Sequence, residues 1–74
     1  MSNTLNLRGL ACPLPVIKAR KAIKKMTAGT EVVIECTDPL ASIDIPHMCK
    51  SDGHKLKDAG TLGDVLWFKI VVSS

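Results

Sequence analysis

The sequence contains very few aromatic residues. Trp67 and Phe68 are the only two among 74 residues, and tyrosine is absent. The hydrophobic core must therefore be aliphatic, and few rings are available for stacking on the bases of a nucleic acid. Long apolar runs are also missing, since no stretch approaches the roughly 20 residues that cross a bilayer. The first residues lack a basic segment followed by an apolar one, so no secretory signal is expected.

Cysteine and charge are both modest. Three cysteines, an odd number, favour a reducing cytoplasm over a disulfide scaffold. Ten basic and seven acidic residues give a net charge of +3, which is too weak to demand a polyanion as partner. His47, Cys49 and His54 match no common zinc spacing, so neither a metal nor another cofactor is expected. The length and the 46% hydrophobic content predict one compact domain over residues 1–74.

Alternating polar and apolar residues predict four strands. The first covers Thr4 to Leu7, the second is TEVVIECT, a weak third surrounds Leu56, and the fourth is DVLWFKIVV. Trp67 then belongs to the face that points away from the core. The residues expected to point into the core are Leu5, Leu7, Val32, Ile34, Cys36, Leu66, Phe68, Ile70 and Val72.

Apolar residues at helical spacing predict two helical regions. The first spans Pro13 to Met26, with Gly29 following as a breaker. In the second, Pro46 predicts a break, with Asp44 capping a separate short helix that Gly53 ends. The element order is then β-α-β-α-β-β. It predicts an α/β (α+β) two-layer sandwich with both helices packed on one face of a four-stranded mixed sheet.

The most informative segment is GLACPLP, residues 9 to 15. With Pro13 as the first helical residue, Cys12 becomes the N-cap, where the helix dipole is expected to lower the pKa of its thiol. The prolines remove backbone donors, which makes this segment a poor phosphate loop and favours a single positioned sulfur. No second cysteine lies one turn away, so an internal dithiol pair is not expected. Cys36 and Cys49 fall on core faces and are predicted to be buried.

The segment Leu7 to Pro15 resembles the CPxP signature of the TusA/SirA-like sulfur-carrier family. The resemblance continues through Thr37-Asp38-Pro39, Asp44-Ile45-Pro46 and Gly53-His54, so it covers nearly the whole chain. It implies the β-α-β-α-β-β sandwich and a sulfurtransferase activity in which Cys12 accepts sulfane sulfur as a persulfide. It also implies positioning roles for Gly9, Pro13, Leu14 and Pro15.

The resemblance implies two protein partners, a persulfide donor such as a cysteine desulfurase or rhodanese-like protein, and a downstream acceptor. Family members serve tRNA thiolation, molybdenum-cofactor enzymes or sulfur oxidation. The basic residues Arg8, Lys18 and Lys21 are predicted to dock an acidic rim around the partner's site. No direct contact with nucleic acid or membrane is expected, and a carrier that serves two partners in turn is expected to be a monomer.

Two other functions remain open at this stage. A non-catalytic module could bind RNA or a regulatory protein through the basic face of the first helix, and it would not need Cys12. A thiol redox sensor would show Cys12 oxidised to a sulfenic acid or mixed disulfide without sulfur delivery. The role of His54 is undecided.

Overall fold

A computed structural model describes residues 2–73, so the two terminal residues of the predicted domain lie outside the described part. Four strands and two helices follow one another in the predicted order. Their bounds are β1 Ser2–Leu7, α1 Leu14–Ile23, β2 Glu31–Cys36, α2 Ala41–Asp52, β3 Lys55–Leu62 and β4 Val65–Val71.

The strands form one mixed sheet in the order β1-β2-β4-β3. β1 and β2 are parallel, with Leu7 opposite Cys36 at the last pair. β4 is antiparallel to both β2 and β3. Parallel pairing brings the carboxyl ends of β1 and β2 to one edge of the sheet. The segments that follow these two strands therefore begin side by side, and this is the edge where Cys12 lies.

The core lies between the sheet and the helices, as predicted for a two-layer sandwich. Ile34 and Ile70 are fully buried on the sheet, while Ala19 and Ile45 face them from α1 and α2. Leu5 and Leu66 are half-buried at the edge of this cluster, and the remaining inward positions predicted on β1, β2 and β4 are all buried. The alternation in β2 is complete, which confirms its predicted inward face.

The predicted break at Pro46 is wrong, because α2 is one continuous helix with this proline inside it. The buried residues Ala41, Ile45, Met48 and Cys49 lie on both sides of the proline and share one helical face. An interior proline costs about 3 kcal/mol. Burying each large apolar side chain contributes about 1.5–3 kcal/mol, so the shared buried face outweighs the missing hydrogen bond.

The predicted start and end of α1 also need correction. Pro13, not Cys12, is the N-cap, and the helix begins at Leu14 with Pro15 in its first turn. At the other end the helix stops at Ile23, since the amides of Lys25 and Met26 bond the carbonyls three positions back in a tight turn. Cys12 therefore precedes the helix by two residues.

β3 is longer and less regular than predicted. It contains a register shift between Leu56 and Asp58, which places Lys57 outside the regular pairing. On the outer face of the sheet, Glu31 lies between the ammonium groups of Lys57 and Lys69, 3.4 Å and 3.7 Å from its carboxylate oxygens. Among the described residues, no helix is long and apolar enough to span a membrane.

Candidate functional site

The site forms where the segment after β1 meets the segment after β2. Gly9 turns the chain with φ of +83°, a conformation that glycine adopts without steric cost. Its N–H donates to the Thr37 hydroxyl at 2.8 Å. The Cys12 N–H donates to the carboxylate of Asp38. Two hydrogen bonds across the parallel strand ends thus hold the loop that carries the cysteine.

Asp38 holds two segments at once. While Oδ2 accepts the Cys12 N–H, Oδ1 accepts the Leu40 N–H at 3.1 Å just before α2. Asp38 thus bonds the backbone just ahead of α2, although the N-cap residue of that helix is Leu40. Sequence reasoning missed that the same carboxylate anchors the cysteine loop.

The thiol of Cys12 donates a hydrogen bond to Asp44, with Sγ 3.1 Å from Oδ2. Asp44 lies in the first turn of α2, half-buried, and faces the loop instead of capping a separate helix. Since α2 runs unbroken through Pro46, this turn is held firmly by the buried residues behind it. The carboxylate is therefore fixed beside the sulfur by the fold.

The predicted lowering of the Cys12 pKa is wrong. The hydrogen bond to Asp44 raises the pKa of the thiol above its ordinary value because it stabilises the protonated form. Partial desolvation and then the negative charges of Asp44 and Asp38 raise the pKa further. The first helical N–H, that of Leu14, donates to the carbonyl of Ala11 at 2.9 Å. In the free chain Cys12 is thus held as a thiol.

Cys12 is exposed, whereas the other two cysteines, Cys36 and Cys49, are free and buried as predicted. Burial raises the pKa of each buried thiol to about 11, with smaller contributions from Asp38 and Asp52 respectively. Neither one is a nucleophile at neutral pH. Chemistry by a thiol of the folded chain therefore falls to Cys12.

A shallow, open cavity of about 330 Å³ adjoins the thiol. Its walls come from the loop, from α1 and from α2, and the residues that line it are Cys12, Pro13, Val16, Arg20, Asp44, His47 and Met48. Sequence reasoning missed Arg20, which also pairs with Asp52 at 2.9 Å and so bridges the two helices. The cavity has room for a small terminal group that a partner presents to the sulfur.

Two other predicted positioning residues, Leu14 and Pro15, differ in how much of each is exposed. Pro15 is buried under the helix start, while Leu14 keeps 43% of its surface exposed and turns outward. Sequence reasoning named the segments around Asp38 and Asp44 as part of a resemblance but gave their carboxylates no role at the thiol. The available signal was the resemblance itself, which joins those two segments to the cysteine loop.

The predicted docking residues Arg8, Lys18 and Lys21 are all exposed. The Arg8 side chain is oriented by Asn6, whose Oδ1 accepts from Nε at 2.9 Å. Within residues 2–73, no three His, Cys, Asp or Glu side chains come together as a metal-ligand set. His54 is not part of the cavity beside Cys12, and its Nδ1 accepts the Ser73 N–H at 3.0 Å beyond the end of β4.

Residues 3–73 match the family described as sulfurtransferase TusA. The chain belongs to this family. The match covers nearly the whole described chain, including the cysteine loop and both carboxylate segments.

Several relatives of this TusA-family chain are named as sulfur carriers. A putative sulfur carrier protein of Neisseria meningitidis is 39% identical over 71 residues, which are 96% of this chain and 93% of the relative. The sulfur carrier protein TusA of Buchnera aphidicola is 38% identical over 69 residues, 93% and 87% of the two chains. The crystal structure of a SirA-like protein from Desulfitobacterium hafniense superposes with a TM-score of 0.81 at 25% identity, with both chains fully covered. These likenesses support a role as a sulfur carrier and confirm the fold.

Proposed function

We propose that this chain accepts sulfane sulfur as a persulfide on Cys12 and relays it to an acceptor protein. The observation that carries the proposal is the exposure of Cys12 beside a cavity, in a member of the TusA family whose other two thiols are buried. Sulfur transfer of this kind needs one accessible, positioned thiol. It needs no resolving cysteine, because the transferred sulfur leaves with the next partner.

Loading is an exchange between two sulfur atoms. The sulfur of Cys12 attacks the terminal sulfur of the donor's persulfide, a new S–S bond forms, and the donor's own S–S bond breaks to release its thiol. Cysteine desulfurases and rhodanese-like proteins present sulfur in this form. In the second exchange, an acceptor thiol attacks the terminal sulfur and Cys12 returns to its starting state. Neither exchange changes the total oxidation state of the sulfur atoms.

The partners are proteins in this proposal, and the basic residues of the loop and of α1 are their docking surface. Arg8, Lys18 and Lys21 are exposed and can approach an acidic rim around a donor's site. Charges at such a rim mainly raise the rate of encounter. The carrier is proposed to act as a monomeric domain in the cytoplasm, where its three free cysteines stay reduced.

The acceptor belongs to one of three sulfur-trafficking processes: tRNA thiolation, maturation of molybdenum-cofactor enzymes, or sulfur oxidation. The proposal does not require contact with nucleic acid. The residues that line the cavity beside Cys12 include no Phe, Trp or Tyr. Trp67 is half-buried and Phe68 is buried, so they offer no exposed pair of rings for stacking on bases.

The experiment is intact mass spectrometry after incubation with a cysteine desulfurase and cysteine. The wild-type chain is expected to gain about 32 Da for each persulfide, and a reductant should remove the gain. Cys12→Ser should lose the gain, whereas the matched variant Cys49→Ser should keep it because that thiol is buried. An equal gain in Cys12→Ser would disprove the assignment of the carrier cysteine.

Functional complementation distinguishes the carrier from a binding module. The carrier requires Cys12, so Cys12→Ser should abolish sulfur delivery and charge reversal at Lys18 and Lys21 should only slow it. A module that binds RNA or a regulatory protein predicts the opposite order of severity. Oxidation of Cys12 without sulfur delivery would favour a redox sensor instead.

A further inference from the structure

The sulfur of Cys12 has acidic neighbours although the chain as a whole is basic. Asp44 accepts the hydrogen of the thiol at 3.1 Å, and the carboxylate of Asp38 accepts the N–H of the same residue. The net charge of +3 and the exposed Lys18 and Lys21 have the opposite sign. The negative charges of the site therefore lie at the reacting atom, in a chain whose net charge is positive.

The cationic groups near the cavity do not neutralise Asp44. Arg20 lines the cavity, but its guanidinium is directed at Asp52, with Nε 2.9 Å and Nη2 3.4 Å from the two carboxylate oxygens. His47 is the other titratable residue in the lining from α2. Among the described residues, no salt bridge is formed by Asp38 or Asp44. A reagent that approaches Cys12 therefore meets a fixed negative charge in contact with the sulfur.

We propose that Asp44 selects the sulfur donor: it admits persulfides presented beside a positive charge and disfavours anionic ones such as free polysulfide. The inference rests on the proposed function and specifies its substrate class. A cation on the donor pairs with the Asp44 carboxylate, relieves the repulsion between that carboxylate and the forming thiolate, and so activates Cys12 only in the docked complex. In the free carrier the thiol stays protonated and protected.

The exchange balances without another reactant. Cys12–SH and the donor R–S–SH give Cys12–S–SH and R–SH. The bond that forms joins Sγ to the donor's terminal sulfur, and the bond that breaks joins the donor's two sulfurs. The proton leaves Sγ along its hydrogen bond to Asp44 and ends on the leaving sulfur of the donor. No external oxidant or reductant is consumed.

The test uses three methanethiosulfonate reagents that modify Cys12 with a cationic aminoethyl, an anionic sulfonatoethyl or a neutral methyl group. Two unit charges about 4–6 Å apart interact by about 0.7–1 kcal/mol in water. The cationic reagent gains this energy and the anionic one loses it, so the wild type should prefer the cationic reagent by about ten- to thirtyfold at low salt. In Asp44→Asn the ratio should fall toward the intrinsic ratio measured with a free thiol. With the neutral reagent, Asp44→Asn should react several-fold faster than the wild type at pH 7. The reason is that the carboxylate that stabilises the protonated thiol is gone.

Asp58→Asn is the matched control, since it removes the same charge from β3, where the Asp58 carboxylate accepts a hydrogen bond from the adjacent Ala59 N–H. It should retain the wild-type ratio. Equal ratios in wild type and Asp44→Asn, or an anionic reagent that is as fast as the cationic one in wild type, would overturn the selection. Circular dichroism confirms that both variants are folded before rates are compared.

A second arm loads the chain with small persulfides and reads the mass gain. The persulfide of cysteamine, a cation, should load Cys12 faster than that of mercaptopropionate, an anion, and Asp44→Asn should remove the difference. Loading by both at equal rates in wild type overturns the selection but leaves the carrier function intact. Charge selection by the methanethiosulfonates with no loading from a cysteine desulfurase or from either persulfide would instead overturn the proposed function.

Discussion

Raising the pH from 7 to 10 should destabilise the fold through its two buried thiols. Cys36 and Cys49 have relative exposures of 0% and 2%, and burial raises the pKa of each from 9.0 to about 11. Above pH 9 the unfolded chain loses these protons while the folded chain keeps them, so stability falls as the pH rises. At pH 10 the difference is about 1.4 kcal/mol for each thiol, or about 3 kcal/mol for both.

This loss is a large part of the total stability expected for a chain of this size, about 4–11 kcal/mol. The assay is urea unfolding followed by the fluorescence of Trp67, at pH 7 and pH 10 with a phosphine reductant. Cys12→Ser serves as the background, so that only the buried thiols titrate among the cysteines. Adding Cys49→Ala should make the decrease in the free energy of unfolding between pH 7 and pH 10 smaller by about 1.4 kcal/mol. An undiminished loss in that variant would refute the reasoning.

Two smaller perturbations test the packing around the sheet and between the helices. Gly60→Ala places a Cβ 2.7 Å from the Trp67 ring. The free energy of unfolding of this variant, measured in urea, should therefore be lower by about 1–3 kcal/mol. The control Ala59→Ser, at an exposed position, should change the free energy of unfolding by less than about 0.5 kcal/mol. A double-mutant cycle of Arg20→Ala and Asp52→Ala should give a coupling of at most about 1 kcal/mol that weakens in salt, because the pair is partly exposed. A larger or salt-independent coupling would contradict that estimate.

The sheet could be predicted from the sequence because its pattern is local. In β2 and β4, every second residue is apolar, and the inward positions read from that alternation are the ones that contact the helices. The order of elements followed from the same pattern. The irregular pairing of β3 did not, since a bulge depends on how two strands meet and the short apolar segment around Leu56 does not encode it.

The cysteine could be found from the sequence, but its chemistry could not. Cys12 stands out because it precedes two prolines in a chain with no second thiol nearby. Its pKa, however, is controlled by Asp44, which is 32 positions away along the chain. The helix-dipole argument considers only the helix that follows the cysteine, and it therefore gave the wrong direction.

The error at Pro46 explains why Asp44 was overlooked. Local propensity favours a helix break at an interior proline, and a break turns Asp44 into a cap that bonds its own backbone. In the folded chain the apolar residues on both sides of Pro46 are buried against one core, so the helix continues and its first turn presents the carboxylate to the cysteine loop. Long-range packing thus places the carboxylate that raises the pKa of the thiol. Substitutions that loosen the first turn of α2, such as Ile45→Ala in the core, should therefore make Cys12 react faster with a neutral thiol reagent, although they leave the Asp44 carboxylate in the chain.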